Sequence, residues 1–274
     1  MLSKNKAKFI RSLQLKKNRE ESGCFVVEGQ KSVMELINSH FQIETVVCTE
    51  EFSRQNKKSL DGKKFELTLC GPSELESASA FKTANSALAV ARVRPDIFPR
   101  ELLGLTLALD GVRNPGNLGS IVRIADWFGI QTILASKDTA DFYNPKVLQA
   151  SMGSFCRVPV HYVNLEEIFN PDFALGVSLP LYAASPKGDS VHNFEFKKDC
   201  VLLLGNESRG ISNSLEGFIY RAIGIPGYGS AESLNISTAA AIICDNYRRS
   251  SKPLSLETRE CSDGEQHSLL PQPT

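Results

Sequence analysis

The sequence predicts an α/β protein of two units: a small N-terminal α/β unit and a larger C-terminal unit with a mostly parallel sheet and helices on both faces. Three observations carry this. Short apolar runs alternate with helical patterns along most of the 274 residues. In the second half those runs are almost continuously apolar, as strands buried on both faces require. Residues 95–104, "PDIFPRELLG", hold two prolines and a glycine and divide the two series as a linker.

The first unit, residues 1–94, opens with "SKNKAKFIRSLQLKKNR", seven Lys/Arg and no acid. Phe9, Ile10 and Leu13 share one helical face. The charges read either as a solvated helix or as a phosphate-contacting surface of Lys4, Lys6, Lys8, Arg11, Lys16, Lys17 and Arg19. Then follow strand "CFVVEG", helix "QKSVMELINS", strand "IETVVCTE", helix "EEFSRQNKK", strand "KFELTLC", helix "PSELESA" and strand "SALAVARV". The second unit, residues 105–249, has strands "LTLALDGV", "QTILAS", "CRVPVHYV", "FALGVSLPLYAAS", "CVLLLGN" and "RAIGIPG", with helical patterns between most of them. A long helix over 233–249 closes it, and residues 250–274, rich in Ser, Pro, Glu and Gln, read as a disordered tail.

Composition narrows the function. Lys+Arg and Asp+Glu are equal at 31 each, so a nucleic-acid partner must be held by local basic patches. The seven cysteines form no CxxC pair and follow no signal peptide, so reduced thiols in a cytoplasm are expected. The four histidines have no metal-ligand spacing, so no metal is expected. No run approaches the ~18 apolar residues of a membrane span.

Three loops carry the chemistry. In "GVRNPGNLGSIVRIADWFG", Pro115-Gly116 suits the centre of a type II turn, and Asn117 is expected to cap a helix starting at Leu118. Leu118, Ile121, Val122, Ala125 and Phe128 should face the sheet, and Gly119 should leave Arg123 room to reach back toward the loop. Arg123 is either an edge cation or an anion ligand. In "LLLGNESRGIS", Glu207 follows a strand's carboxyl end, where open α/β sheets place ligands; the alternative is an ordinary strand-to-helix turn with Ser212 capping the next helix. In "IPGYGSAESLNISTAAAIICDNYRR", Ser233 is expected to start a helix that Ser233, Asn235 and Ser237 open. Capping explains one of the three and does not account for Asn235. Cys244 reads as a buried small hydrophobe. No P-loop, nicotinamide fingerprint or GxSxG elbow is present.

Together and in this order, the three loops resemble the SpoU family of RNA ribose methyltransferases, within the knotted SPOUT class. The residues that carry the resemblance are Asn114-Pro115, Asn117, Gly119 and Arg123; Gly205-Asn206-Glu207 and Gly210; Ile225-Pro226, Gly229 and Ser233-Leu234-Asn235-Ile236-Ser237. The stretch "ASMGSFCRVPV" and an N-terminal segment similar to a ribosomal-protein-like substrate-binding domain extend it over about residues 3–249. The resemblance implies methyl transfer from S-adenosylmethionine to a ribose 2′-hydroxyl of RNA, rRNA first and tRNA as the alternative. It also implies a Rossmann-like sheet with a trefoil knot, and a cytoplasmic homodimer needing no metal or membrane. By the same resemblance Arg123 is the catalytic residue, working with a substrate phosphate. Asn117, Glu207, Ser233 and Asn235 act beside it, and the backbones of Gly205, Ile225 and Leu234 hold the cofactor. A non-catalytic RNA-binding protein on the same fold is the alternative of another class.

Overall fold

The computed structural model describes residues 2–79, 81, 86–173 and 176–250. All of the expected tail except Ser250 lies outside the described residues. The first unit runs α1 (Lys4–Ser12), α2 (Lys16–Ser22), β1 (Cys24–Glu28), α3 (Gln30–Ile37), β2 (Ile43–Cys48), α4 (Glu50–Gln55), α5 (Lys57–Leu60), β3 (Glu66–Leu69), α6 (Pro72–Ala78) and β4 (Ala87–Arg92). Its sheet has the order β1-β4-β2-β3, with β4 antiparallel to both neighbours and β2 parallel to β3. Strand alternation sorts β1 between two cores. Phe25 and Val27 pack in one cluster with Val33 and Leu36 of α3. Cys24 and Val26 join Ile10, Leu13 and Leu75 in another.

The basic N-terminal run folds as two helices. Arg19 Nη1 donates to the carbonyls of Leu13 (2.7 Å) and Gln14 (2.8 Å), and Asn18 Nδ2 donates to that of Ser12 (2.8 Å). Side chains of α2 thereby satisfy the carbonyl end of α1. The other arm of Arg19 is ion-paired with Asp141 of the second unit. Arg19 is 3% exposed, so this cation is structural and is not offered to a phosphate.

The second unit runs β5 (Leu105–Leu109), α7 (Pro115–Trp127), β6 (Ile133–Ala135), α8 (Pro145–Ser151), β7 (Val160–Tyr162), α9 (Leu165–Phe169), β8 (Leu181–Ser190), β9 (Cys200–Leu204), α10 (Asn213–Glu216), β10 (Arg221–Gly224) and α11 (Ile236–Ser250). The strands lie in the order β10-β8-β9-β5-β6-β7, and every neighbouring pair is parallel. One face carries Leu105, Leu107 and Leu109 of β5 with Leu202 and Leu204 of β9; Leu118, Ile121, Val122 and Ala125 of α7 and Ile243 and Cys244 of α11 pack in the same cluster. Ala108, Val201 and Leu203 on the other face meet Leu165 and Ile168 of α9 and Leu215 of α10. Each fully buried Leu or Ile here contributes about 1.5–3 kcal/mol. Burial also pushes the Cys244 thiol up to about 12, as an inert core residue requires.

One strand differs from the sequence reading. The strand expected over "FALGVSLPLYAAS" begins only after Pro180. Ahead of it Gly176 is pressed against the Asn170 carbonyl and donates its amide to the Phe173 carbonyl at 2.8 Å. The expected linker, without helix or strand, is strapped onto the second unit. The Asp96 carboxylate accepts from the Tyr162 amide at 3.3 Å and contacts His161 Nδ1 at 2.5 Å, both on edge strand β7. Covering an edge strand in this way removes a site for stray strand pairing.

The two units share a continuous buried cluster. The Phe25 ring lies 4.6 Å from Tyr143, 5.4 Å from Phe41 and 6.2 Å from Phe155, centroid to centroid. Arg157 bridges the units, at 2.5 Å from Glu35 of α3 and 2.8 Å from Asp126 of α7. Phe25→Ala is therefore expected to destabilise both units by about 3–5 kcal/mol, seen as one shifted urea transition by far-UV circular dichroism. A loss confined to a separate N-terminal transition would show that the units fold independently.

Candidate functional site

Strands β5 and β9 are neighbours at the point where the strand order reverses: β6 and β7 lie to one side, β8 and β10 to the other. Open parallel sheets bind ligands beyond the carboxyl ends of such strands. The loops after β5 and β9 start there, and the loop after β10 is tied to them.

The loop after β5 departs from expectation in a useful way. Asn114, not Asn117, is the N-cap: its Oδ1 accepts from the amides of Gly116 (2.8 Å) and Asn117 (3.3 Å). Pro115 takes the first helical position, where its missing N–H costs nothing. The helix thus starts three residues earlier than the sequence reading, and the Asn117 side chain is left free. Its Nδ2 donates to Glu207 Oε1 at 2.8 Å, and its Oδ1 accepts from Asn235 Nδ2 at 3.0 Å. Gly119 does not clear space for Arg123. A Cβ there would sit 2.5 Å from the Val147 carbonyl and 2.6 Å from Ala150 Cβ, so this glycine lets α7 and α8 touch. Phe128 ends the apolar stripe only half-buried. The Arg123 side chain is exposed and has no hydrogen bond or ion pair with any described residue. It lies six residues past Asn117, about 9 Å along the helix, and helical side chains lean back toward the N-terminus.

The loop after β9 is a closed turn. Asn206 and Gly210 exchange backbone hydrogen bonds, and Gly210 has a left-handed φ of +73°. A Cβ on Gly205 would lie 2.5 Å from the Gly210 backbone, so the turn closes only over glycine. Asn206 anchors it: Nδ2 donates to the Gly111 carbonyl at 2.7 Å, and Oδ1 accepts from the amides of Ser208 and Arg209. The turn holds Glu207 outward, exposed. Ser212 does not cap α10 with its side chain. Its amide and hydroxyl donate to Asp110 at 2.7 and 3.0 Å. Asp110 and Gly111, at the end of β5, therefore grip both feet of this turn. The sequence reading missed Asp110; its only sequence signal is an acid ending an apolar strand.

The loop after β10 runs to Asn235. Helix α11 begins at Ile236, later than the Ser233 start expected. Asn235 is the residue that caps it: Oδ1 accepts from the Ser237 amide (2.9 Å) and hydroxyl (2.7 Å). Ser233 is exposed without a partner among the described residues, and Leu234 is 49% exposed. No hydrogen bond joins the backbone of residues 226–234 to another described residue. The chain of contacts Glu207–Asn117–Asn235 thus unites the three loops.

Beside this site, Arg113 pairs with Asp138 at 2.8 Å. The Ser136 hydroxyl, then Arg113, hold the Asp138 carboxyl below the usual range. On the first unit, Lys4, Lys8 and Arg11 form one exposed, unpaired row along α1. Lys6 is taken up by Glu66 at 2.8 Å, and Lys16 and Lys17 lie 3.7 Å from Glu20 and Glu21. A groove of about 840 Å³ lies away from the three loops, lined by the strap and β7, and its His161 and Asp96 bind each other.

Asp110→Ala would leave the Ser212 amide without its acceptor. We expect a loss of about 1–3 kcal/mol in urea unfolding, with faster amide exchange confined to residues 205–212. Unchanged exchange there would show that the turn holds itself.

Comparison with known proteins agrees with this arrangement. The model of the SpoU rRNA Methylase family matches residues 104–245, more than half of the chain. The MRM3-like substrate binding domain matches residues 4–89. The 23S rRNA (guanosine(2553)-2′-O)-methyltransferase RlmP of Bacillus subtilis is 28% identical over 246 residues, 89% of this chain and 96% of that protein. A TrmH-family protein structure from Porphyromonas gingivalis is 34% identical, with a TM-score of 0.80 over 91% of this chain and 99% of that one. The SpoU methyltransferase AviRb from Streptomyces viridochromogenes, solved with AdoMet, is 25% identical with a TM-score of 0.79, covering 91% and 98%. Both the sequence match and the shared architecture lead to one conclusion: the chain belongs to the SpoU rRNA methylase family.

Proposed function

We propose that this protein transfers a methyl group from S-adenosylmethionine to a ribose 2′-hydroxyl of rRNA. The observation that carries the reading is the Glu207–Asn117–Asn235 network, which gathers three distant loops at the sheet's switch point. The names of the relatives supply the substrate class: RlmP is a 23S rRNA 2′-O-methyltransferase, and AviRb was solved with AdoMet. The reading extends to the C-terminal knot, a cytoplasmic location and a homodimer. Among the described residues no helix is long and apolar enough to cross a membrane. Trp127, 81% exposed on α7, supports a second copy docking on that helix.

The chain's own residues fit the cofactor. The backbone N–H groups of residues 227–234 and the C=O groups of residues 226–234 are uncommitted among the described residues and are the kind of donors and acceptors that an adenine edge needs. Ile225 is half-buried and Leu234 partly exposed, offering apolar contact. When bound, the sulfonium supplies an activated methyl group.

The protein must then orient the ribose and accept a proton. Arg123 is a cation with no internal partner among the described residues, suited to holding a substrate phosphate; a guanidinium is a poor proton acceptor. Glu207 spends Oε1 on Asn117, and Oε2 has no partner among the described residues, so it can receive the hydroxyl proton. Lys4, Lys8 and Arg11 offer a phosphate-binding row on the substrate-binding unit.

Arg123→Ala is expected to abolish methylation of an rRNA substrate while leaving S-adenosylmethionine affinity, by calorimetry, within about twofold of wild type. Wild-type turnover by this variant would remove Arg123 from the mechanism.

A further inference from the structure

We propose that Tyr228 is a stacking platform for an unpaired RNA base at or next to the methylated nucleotide. The proposal rests on the ribose-methylation reading above and adds how the target is recognised.

Tyr228 is 94% exposed, and its ring makes no aromatic or cation contact with a described residue. An aromatic ring left in water in this way forgoes the apolar burial that makes such side chains valuable. It stands between Gly227 and Gly229. A Cβ on either glycine would meet nothing within 4 Å, and neither has a positive φ. Neither packing nor backbone conformation calls for glycine there. What two glycines still provide is close approach of another molecule and freedom for the ring to align with it.

The loop that carries the ring ends at the site. It leaves β10 after Gly224 and ends at Asn235, which is bonded to Asn117 beside Glu207. Trp127 is also exposed, but it ends α7, about 18 Å along the helix from Pro115, and is not part of this loop.

The loop's charge selects base over phosphate. Within residues 225–235 Glu232 is the only charged side chain, so the segment has no cation for a phosphate. Its aromatic face is its recognition group, and the unpaired cations of the site, Arg123 and Arg209, lie on the other two loops' segments. Proteins bind unstacked RNA bases on aromatic faces in this manner.

The test compares Tyr228→Ala, Tyr228→Phe and Tyr228→Trp with wild type. For each, the KM and kcat for methylation of an rRNA fragment are measured, with S-adenosylmethionine affinity by calorimetry and oligomeric state by light scattering. We expect Tyr228→Ala to raise the RNA KM about 5- to 150-fold. The Phe and Trp variants should stay within about threefold of wild type, with cofactor affinity and oligomeric state unchanged in all. Four results overturn the proposal: Ala behaving as wild type; Phe losing as much as Ala, which assigns the role to the hydroxyl; Ala weakening cofactor binding instead of RNA binding; or Ala changing the oligomeric state. Wild-type protein that binds S-adenosylmethionine but methylates no RNA overturns the underlying function instead.

Discussion

Asn117 is the residue on which the site depends. Its amide faces two ways: Nδ2 holds Glu207 from the loop after β9, and Oδ1 receives Asn235 from the loop before α11. One short side chain thus sets the spacing of groups that are 90 and 118 residues away in sequence. It is free to do so because Asn114 caps the helix and Pro115 needs no cap. Had Asn117 capped α7, its carbonyl oxygen would be spent on backbone amides and the bridge to Asn235 would be lost. Asn235 resolves the same conflict differently, capping α11 through Oδ1 and bridging through Nδ2.

The sheet supplies the platform for that bridge. Parallel strands β5 and β9 end side by side, and apolar helices bury both faces. The loop after β9 is fixed by Asp110, Gly111 and Asn206, so Glu207 is presented by a rigid turn. Residues 226–234 are the opposite case, with uncommitted backbone, exposed side chains and two unconstrained glycines. A rigid acidic turn beside an open loop suits a site that must hold a carboxylate still while admitting two ligands. The first unit is not tethered loosely to this site. Phe25, Phe155 and the Arg157 bridge pack it onto α7 and its neighbours, so the basic row on α1 keeps a fixed geometry relative to the three loops.

Much of this was legible in the sequence, for physical reasons. Runs such as "LTLAL" and "CVLLL" are apolar throughout because both sheet faces are covered, and they mark the strands directly. The stripe Leu118, Ile121, Val122 and Ala125 marks the buried face of α7. The residues of the three loops could be picked out by type and order. Their partners could not, because those contacts are non-local. Asn114 and Asn117 are both chemically fit to cap, and only Glu207 and Asn235 decide between them. Gly119 reads locally as a gap for Arg123, whereas the Val147 carbonyl on another helix is its reason. Arg19 reads as one more surface cation, and Asp141, far along the chain, buries it.

Asn117 joins three loops into one site. Its most direct test is the single-turnover rate of ribose methylation by Asn117→Ala on an rRNA fragment, with thermal stability measured in parallel. We expect a rate loss of about 100-fold, the scale set by misplacing a reacting group by about 1 Å, with a melting temperature close to wild type. A wild-type rate would contradict it, since Glu207 and Asn235 would then hold their positions without the residue that joins them.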